Sequence, residues 1–276
     1  MNMNAIFAES VNLPHIPKVV QELIISFQDE NIDIDILSDK VSKDQSLTAK
    51  VLRLANSAHY GMRKNVANPH DAVMLLGFEK LRNMVLASGL TGAFKVESYD
   101  MNKFWKQAFA VAAISKWLAG YVPGVQKETV FTCGMVHSIG DLLIRVVMPE
   151  QAARIDQVEA LGKTERHLIE NGQLGFDYAE VGAELARRWR FPEVIHSAIA
   201  QQNWPSSGQT GYTKEAGIVY IARYLQRAYE NNLSEEAIIS GFPCAAAAAI
   251  GLDLKKAQAG LVELGGIESG LDGLLD

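Results

Sequence analysis

The residues with the clearest chemical potential are His137 and Ser138, within the apolar run Cys133-Gly134-Met135-Val136-His137-Ser138-Ile139-Gly140-Asp141. An imidazole can bind a metal ion or transfer a proton. Asp141 follows His137 by four residues, so in a helix the two side chains would share one face and could hold a cation together. A hydrogen bond or ion pair within the helix is the favoured interpretation, because buried polar side chains are normally hydrogen-bonded.

No other pattern in the sequence has the spacing of a catalytic centre. The histidines form neither the i, i+4 pair of zinc hydrolases nor a His-Asp dipeptide. They are His15, His59, His70, His137, His167 and His196. A glycine-rich phosphate loop and a Gly-x-Ser-x-Gly motif are absent, and the apolar neighbours of Cys133 would keep its thiol protonated. We therefore expect no catalytic residue and no cofactor.

A second concentration of polar side chains is the stretch Arg53-Leu54-Ala55-Asn56-Ser57-Ala58-His59-Tyr60-Gly61 at the end of a predicted helix. One interpretation is a helix C-terminus whose polar groups cap carbonyls and fix the next loop, with Gly61 in the left-handed conformation. The other is a surface for a ligand or protein partner. The capping interpretation is favoured, and the second stays open.

Composition excludes several classes of function. The chain has 276 residues, of which 48% are hydrophobic, and a net charge of −6. Nucleic-acid affinity comes mostly from neutralised phosphates, so we expect no nucleic-acid partner. The longest apolar stretches, such as Ala108–Ile114, are shorter than the roughly 18–20 residues that cross a bilayer. The N-terminus lacks the pattern of a secretory signal, so a cytoplasmic location without membrane attachment is expected.

The hydrophobic pattern is that of helices. Apolar residues recur every three or four positions, and the N-terminal part shows no strand-like alternation. Asp44 and Asp177 are predicted to cap the starts of helices. Two longer helices are predicted at 102–119 and 127–147, and the second carries His137 in its middle. The sequence thus predicts an all-α fold.

Several short motifs extend this interpretation. In chain order they are Leu13-Pro14-x-Ile16-Pro17, Asp44-x-x-Leu47-Thr48-Ala49-Lys50-Val51-Leu52-Arg53-Leu54-Ala55-Asn56-Ser57-Ala58-x-Tyr60-Gly61, Ala72-Val73-x-Leu75-Leu76-Gly77-Phe78-x-x-Leu81-Arg82, Phe104-Trp105, Gly134-Met135-Val136-His137-Ser138-Ile139-Gly140, Phe176-Asp177-Tyr178-Ala179-Glu180-Val181-Gly182-Ala183 and Trp189-x-Phe191-Pro192. Over about Leu13 to Pro205, this series resembles the HDOD family, the HD-related output domains of bacterial signalling proteins.

The resemblance implies an N-terminal helical bundle packed on a bundle related to the HD phosphohydrolases. On this basis we divide the chain into an N-terminal extension at 1–12, a helical subdomain at 13–95, an HD-like helical subdomain at 96–205 and a C-terminal helical region at 206–276. The sequence alone does not indicate whether the C-terminal helices join a core or form a separate surface.

The resemblance also implies where a metal centre would lie. In catalytic HD proteins, histidines and aspartates hold metal ions that activate water on a phosphoester. The corresponding positions here are Gln107, His137, Ser138, Tyr178, Gln202 and Asn203. All of them except His137 carry an amide or a hydroxyl group. Asp141 stands where relatives often have Lys. Because amides and hydroxyls bind transition metals poorly, we predict no metal but a hydrogen-bonded cluster, or a small-ligand pocket that includes Asp141.

These observations predict a non-catalytic signalling module that presents a helical surface to a protein partner. The candidate surface residues are Arg53, Asn56, Ser57, Tyr60 and Arg82. Two alternatives stay open. The chain could be a residual metal-dependent phosphohydrolase acting on a nucleotide, with His137, Asp141 and Glu180 as ligands. It could also be a sensor whose amide-rich pocket binds a nucleotide second messenger.

Overall fold

The computed structural model describes residues 3–8, 13–25, 34–57, 66–97, 99–162, 164–203, 211–264 and 271. Within these ranges the regular structure is helical and no strand occurs, so the predicted all-α fold is confirmed. The chain forms two compact units. The smaller consists of Pro14–Lys95 with Ser269–Asp276, and the larger of Met1–Leu13 with Val96–Glu268.

The smaller unit is built around one long helix. Its helices are α1 (Lys18–Ile25), α2 (Ile34–Ser42), α3 (Gln45–Ala55), α4 (Pro69–Leu76) and α5 (Phe78–Ala93). Helix α5 packs against α1, α3 and α4, and its residues Leu81, Met84 and Leu86 are fully buried. Asp44 caps α3 as predicted, since its Oδ1 accepts a hydrogen bond from the Leu47 backbone N–H at 3.0 Å.

The larger unit contains the remaining helices. They are α6 (Met101–Leu118), α7 (Lys127–Val136), α8 (Ile139–Val147), α9 (Pro149–Glu159), α10 (Arg166–Leu174), α11 (Tyr178–Arg188), α12 (Glu193–Ala200), α13 (Lys214–Glu230), α14 (Glu235–Ser240), α15 (Cys244–Ala249), α16 (Leu254–Ala259) and α17 (Leu261–Leu264). Short 3-10 turns lie at Met3–Ala5 and Ala119–Tyr121. Asp177 caps α11 as predicted, in a capping box with Glu180.

Helices α6, α7 and α13 form the centre of this unit. Buried apolar side chains of α6 and α13, such as Leu118, Ile221 and Leu225, make one cluster with residues of α14 to α17, such as Ile238 and Leu264. The C-terminal helices therefore share a core with α6 and α7.

The predicted single helix at 127–147 is wrong in one respect, because it is broken at His137 and Ser138. Ser138 leaves helical geometry with φ −113° and ψ 12°. The glycines and Ser138 around this point have low helix propensity, which makes the break inexpensive. The run Lys127–Val147 is long and apolar enough to cross a membrane, but 83% of its window is buried inside the protein.

Two glycines allow helices to approach closely at the break. A Cβ on Gly134 of α7 would lie 2.7 Å from the Cα of Ala112 on α6. A Cβ on Gly140 of α8 would lie 2.0 Å from the carbonyl oxygen of Tyr178 and 2.4 Å from the backbone N of Gly182, both on α11. Because glycine has no side chain, Gly134 lets α7 lie close to α6, and Gly140 lets α8 lie close to α11.

We expect Gly140→Ala to lower the free energy of unfolding by about 3 kcal/mol, because the added methyl group meets backbone atoms that cannot rotate away. Gly172→Ala is the matched control: Gly172 is exposed on α10 with open space around its Cα, and alanine there should stabilise the helix by about 0.5–1 kcal/mol. Urea denaturation of both variants measures the difference. Equal stabilities would contradict the close packing of α8 on α11.

Candidate functional site

The larger unit contains a cavity of about 290 Å³ beside the helix break. Its walls come from α6, α8, α9, α10, α11 and α13. The lining residues are Tyr99, Phe104, Gln107, Val111, His137, Ser138, Asp141, Arg145, Glu159, Arg166, Tyr178, Arg223, Gln226, Arg227 and Glu230. Five residues of the predicted pocket, Gln107, His137, Ser138, Asp141 and Tyr178, are therefore on its wall. The sixth, Gln202, is fully buried next to His137.

His137 is held as a neutral imidazole. Its ring is 8% exposed, and Nδ1 lies 2.7 Å from the Gly134 carbonyl oxygen. Because that oxygen only accepts, Nδ1 must carry the proton and donate it. Burial lowers the pKa of His137 to about 3, and the positive charge of Arg223 acts in the same direction. His137 is therefore uncharged at neutral pH.

A hydrogen-bonded cluster lies at the break, but it is smaller than the predicted one, which also included Gln107 and Ser138. The Gln202 amide nitrogen donates to the His137 carbonyl oxygen, and also to the Ile199 carbonyl at 3.0 Å. The Tyr178 hydroxyl donates to Asn203 Oδ1 at 2.8 Å. Asn203 Nδ2 in turn donates to Asp177 Oδ2 at 3.2 Å. These bonds tie α11 and the residues after α12 to the end of α7.

Gln107 and Ser138 occupy the same cavity without entering this cluster. Gln107 on α6 donates from Nε2 to both carboxylate oxygens of Glu230, at 2.8 and 2.9 Å. Lys103 lies 3.6 Å from the same carboxylate. Ser138 is partly buried and lines the wall at the break. The amide of Gln107 is thus bonded to Glu230 on α13, and among the described residues it makes no hydrogen bond to His137.

Asp141 pairs with arginines and not with His137. Its Oδ2 accepts from Arg145 Nε at 2.9 Å, and its Oδ1 lies 2.7 Å from Arg166 Nη2 without hydrogen-bond alignment. Arg145 Nη1 and Nη2 also donate hydrogen bonds to the two carboxylate oxygens of Asp156, at 2.7 and 2.8 Å. Arg166 adds a 2.8 Å bond to Glu159. The favoured interpretation of a hydrogen bond or ion pair between His137 and Asp141 is therefore wrong, because the helix breaks between them and Asp141 pairs with Arg145 on α8.

Sequence reasoning did not single out these arginines. Arg145 had a detectable signal, since it follows Asp141 by four residues on α8. Arg166 starts α10, and no local spacing connects it to Asp141. The guanidinium of Arg145 also lies 3.9 Å from the centre of the Tyr99 ring, and burial raises the pKa of that tyrosine to about 12.

The residues at this site do not fit a divalent metal ion. Asp141, the carboxylate nearest the break in sequence, already has its charge neutralised by two guanidiniums. His137 is one imidazole, while Tyr178, Gln202 and Asn203 are neutral and hydrogen-bonded to each other or to main chain. Across the described ranges, no three His, Cys, Asp or Glu side chains are grouped as metal ligands. A dication here would face fixed positive charge.

Glu180 does not join His137 and Asp141 as a third ligand. It is exposed on α11, and its Oε2 accepts from the Asp177 backbone N–H at 3.1 Å in the capping box. Cys133 is fully buried, and burial raises the pKa of its thiol. This agrees with the expectation that the thiol stays protonated.

Among the carboxylates that pair with Arg145 or Arg166, Glu170 keeps a proton most readily. It is fully buried, and burial raises its pKa to about 7 although Arg166 lies 2.9 Å away. Arg145 and Arg166 are shared among four carboxylates, of which Glu170 is the most deeply buried, so their positive charge only partly offsets its burial. It accepts the Tyr178 backbone N–H at 2.7 Å.

The candidate partner surface in the smaller unit is only partly exposed. Arg53 is exposed, and Asn56 is exposed but acts as a cap, with Nδ2 donating to the Leu52 and Val66 carbonyls at 2.8 and 2.9 Å. Ser57 is partly buried. The expectation that Arg82 is on the surface is wrong, since it is 6% exposed on α5, 5.7 Å from the Phe78 ring centre. Tyr60 and Gly61 lie outside the described residues.

We expect Glu170→Gln to change how stability depends on pH. The folded protein binds the Glu170 proton up to about pH 7, whereas the unfolded chain releases it near the ordinary glutamate pKa of 4.5. Stability from this group is therefore fully present below about pH 4.5 and is lost as the pH rises through 7. The glutamine variant should lose less stability than the wild type between pH 5 and 8 in urea denaturation. Glu193→Gln, at an exposed position of α12, is the control, and parallel profiles for wild type and Glu170→Gln would contradict the assignment.

The comparisons with known proteins agree with this fold. The family model of the HDOD domain matches residues 13–205. A protein of Treponema pallidum (strain Nichols), named "Uncharacterized protein", is 24% identical over 190 residues, which make up 68% of this chain and 37% of that protein. The chain thus spans 37% of the length of this curated relative.

Solved structures cover nearly all of the chain. A protein of Shewanella amazonensis SB2B, named "Putative phosphohydrolase", is 35% identical with a TM-score of 0.79, over 99% of this chain and 98% of that one. A "Putative signal transduction protein" of Marinobacter aquaeolei VT8 is 25% identical with a TM-score of 0.79, over 95% of this chain and 60% of that one.

A third structure shares the fold. The HDOD domain protein with unknown function from Geobacter sulfurreducens has a TM-score of 0.77 at 22% identity, over 99% of this chain and 97% of that one. The motifs, the helical architecture and the match over residues 13–205 lead to one conclusion: this chain belongs to the HDOD family.

Proposed function

We propose that this chain is a non-catalytic regulatory module of bacterial signal transduction that acts by contacting a protein partner. The observation that carries the proposal is the pairing of Asp141 with Arg145 and Arg166. Metal-dependent phosphoester hydrolysis needs anionic or imidazole ligands with free lone pairs around a cation. Here guanidinium groups already compensate the carboxylate beside His137.

The neutral groups around the break support the same proposal. The amides of Gln202 and Asn203 and the hydroxyl of Tyr178 are used in hydrogen bonds that join helices. Such groups stabilise the fold, but they neither activate water nor offset the charge of a metal ion. These hydrogen bonds fix the helices of the HD-like part relative to one another, as a module that presents a constant surface to a partner requires.

In the smaller unit, Arg53 supports a role in partner binding. It is exposed in the last turn of α3, and no carboxylate of the described residues forms an ion pair with it. Asn56 fixes the neighbouring main chain by bonding to Val66 in both directions, at 2.9 and 2.7 Å. We propose this end of α3 as part of the partner surface. The net charge of −6 argues against a nucleic-acid partner. A protein partner without membrane attachment and a cytoplasmic location belong to the same proposal.

A second function, a metal-dependent phosphohydrolase, is favoured by the name of the Shewanella amazonensis SB2B protein at 35% identity. We expect the purified chain not to hydrolyse bis-p-nitrophenyl phosphate or cyclic dinucleotides above the blank with Mn²⁺ or Fe²⁺, and to carry substoichiometric metal by mass spectrometry. Turnover that disappears in His137→Ala and persists in Arg154→Gln, an exposed position on α9, would establish the enzyme in place of the regulatory module.

We expect Arg53→Glu to weaken partner capture. Immobilised wild-type chain, Arg53→Glu and Arg154→Glu are compared in affinity purification from native cell extract. Proteins bound through the end of α3 should be retained by the wild type and Arg154→Glu and lost from Arg53→Glu, because a reversed charge at an interface opposes association. Identical sets of bound proteins for the three baits would place any partner contact elsewhere and contradict this surface.

A further inference from the structure

Two arginines on α13 line the cavity without a carboxylate partner. Arg223 and Arg227 are four residues apart, so their side chains share one face of the helix. Both hydrogen bonds of the Arg223 guanidinium leave from Nη1, to the Gln202 carbonyl oxygen at 3.3 Å and to Asn203 Oδ1 at 2.9 Å. These acceptors are neutral. In the part of the chain that the structure describes, neither arginine lies within 4.0 Å of a carboxylate.

Arg223 is partly buried, its guanidinium lies 5.6 Å from the centre of the Tyr178 ring, and among the described residues it has no carboxylate within ion-pair distance. Burial lowers the pKa of its guanidinium, and the charge of Arg227 acts in the same direction. Glu165 opposes this effect only from beyond ion-pair distance, and it is itself paired with His167 at 3.3 Å. A desolvated cation without a counter-ion is costly, and an anion in the cavity would remove that cost.

The other charges on the cavity wall are compensated within the protein. Arg145 and Arg166 bind Asp141 and its neighbouring carboxylates. Glu230 is engaged by Lys103 and by two amides, those of Gln107 and Gln226. The uncompensated charge of the cavity is therefore the pair of α13 guanidiniums, beside the neutral groups of His137 and Ser138.

We propose that this cavity binds a small organic phosphate, with the phosphate group on Arg223 and Arg227. A phosphate monoester carries a charge of about −1.5 to −2 at pH 7, which matches two guanidiniums. The three oxygens of a phosphate group can accept hydrogen bonds from two guanidinium groups at once. A carboxylate has only two oxygens, and a single guanidinium can bond to both of them. The volume of about 290 Å³ suits one mononucleotide or sugar phosphate. The proposal is independent of the protein contact at α3.

The test uses matched pairs of probes that differ by one phosphate: AMP against adenosine, and glucose 6-phosphate against glucose. Isothermal titration calorimetry with the full chain should show binding of at least one phosphorylated probe and none of its partner. Arg223→Gln and Arg227→Gln should each weaken that binding by roughly tenfold or more, since each removes a charge-assisted hydrogen-bond donor. Arg154→Gln, which removes an exposed arginine of α9, should leave the affinity unchanged.

Arg227 is exposed, so its variant tests the site even where Arg223→Gln reduces stability. The proposal is overturned by any of three results: no phosphorylated probe binds, binding is equal in wild type and Arg227→Gln, or citrate binds as tightly as the best phosphorylated probe. None of these bears on hydrolysis or on partner capture by Arg53. The two proposals therefore fail separately.

Discussion

The buried charge of Asp141 is the constraint around which the larger unit is arranged. The side chain is 7% exposed, and an ionised carboxylate at such a depth requires a compensating charge. Arg145 supplies it from the next turn of α8, and Arg166 supplies it from the start of α10. Both guanidiniums also reach Asp156 on α9, so one buried carboxylate leads to the connection of three helices. The same compensation removes the electrostatic demand for a metal ion.

The helix break beside Asp141 has a second consequence. A helix end leaves carbonyl groups without partners inside the helix, and the break makes the His137 carbonyl available. The fully buried amide of Gln202 donates to it. This bond requires α12 to lie close to the end of α7, and the approach of Gly140 to Gly182 brings α11 into position between α8 and α12. The two glycines and the interrupted helix thus bring together the groups of the hydrogen-bonded cluster.

These features also set the charges that line the cavity. One wall consists of internally neutralised ion pairs, and the imidazole of His137 is uncharged because burial lowers its pKa to about 3. Helix α13 presents the guanidiniums of Arg223 and Arg227 to the cavity, and the hydrogen-bond partners of Arg223 are neutral oxygens. A cavity of this kind repels cations and favours anions.

The sequence by itself determined the helical class, the family and the features whose partners are close along the chain. The caps at Asp44 and Asp177 depend on hydrogen bonds across two or three residues, and local spacing reveals them. The family resemblance predicted one cluster of Gln107, His137, Ser138, Tyr178, Gln202 and Asn203, whereas the structure bonds Tyr178 to Asn203 and Gln107 to Glu230. Tertiary structure alone decided the pairing of Asp141 with Arg166, the burial of Arg82 and the placement of Arg223 against Gln202 and Asn203. These contacts join residues from different helices, and only the packing of those helices determines which charges meet and which remain without a counter-ion.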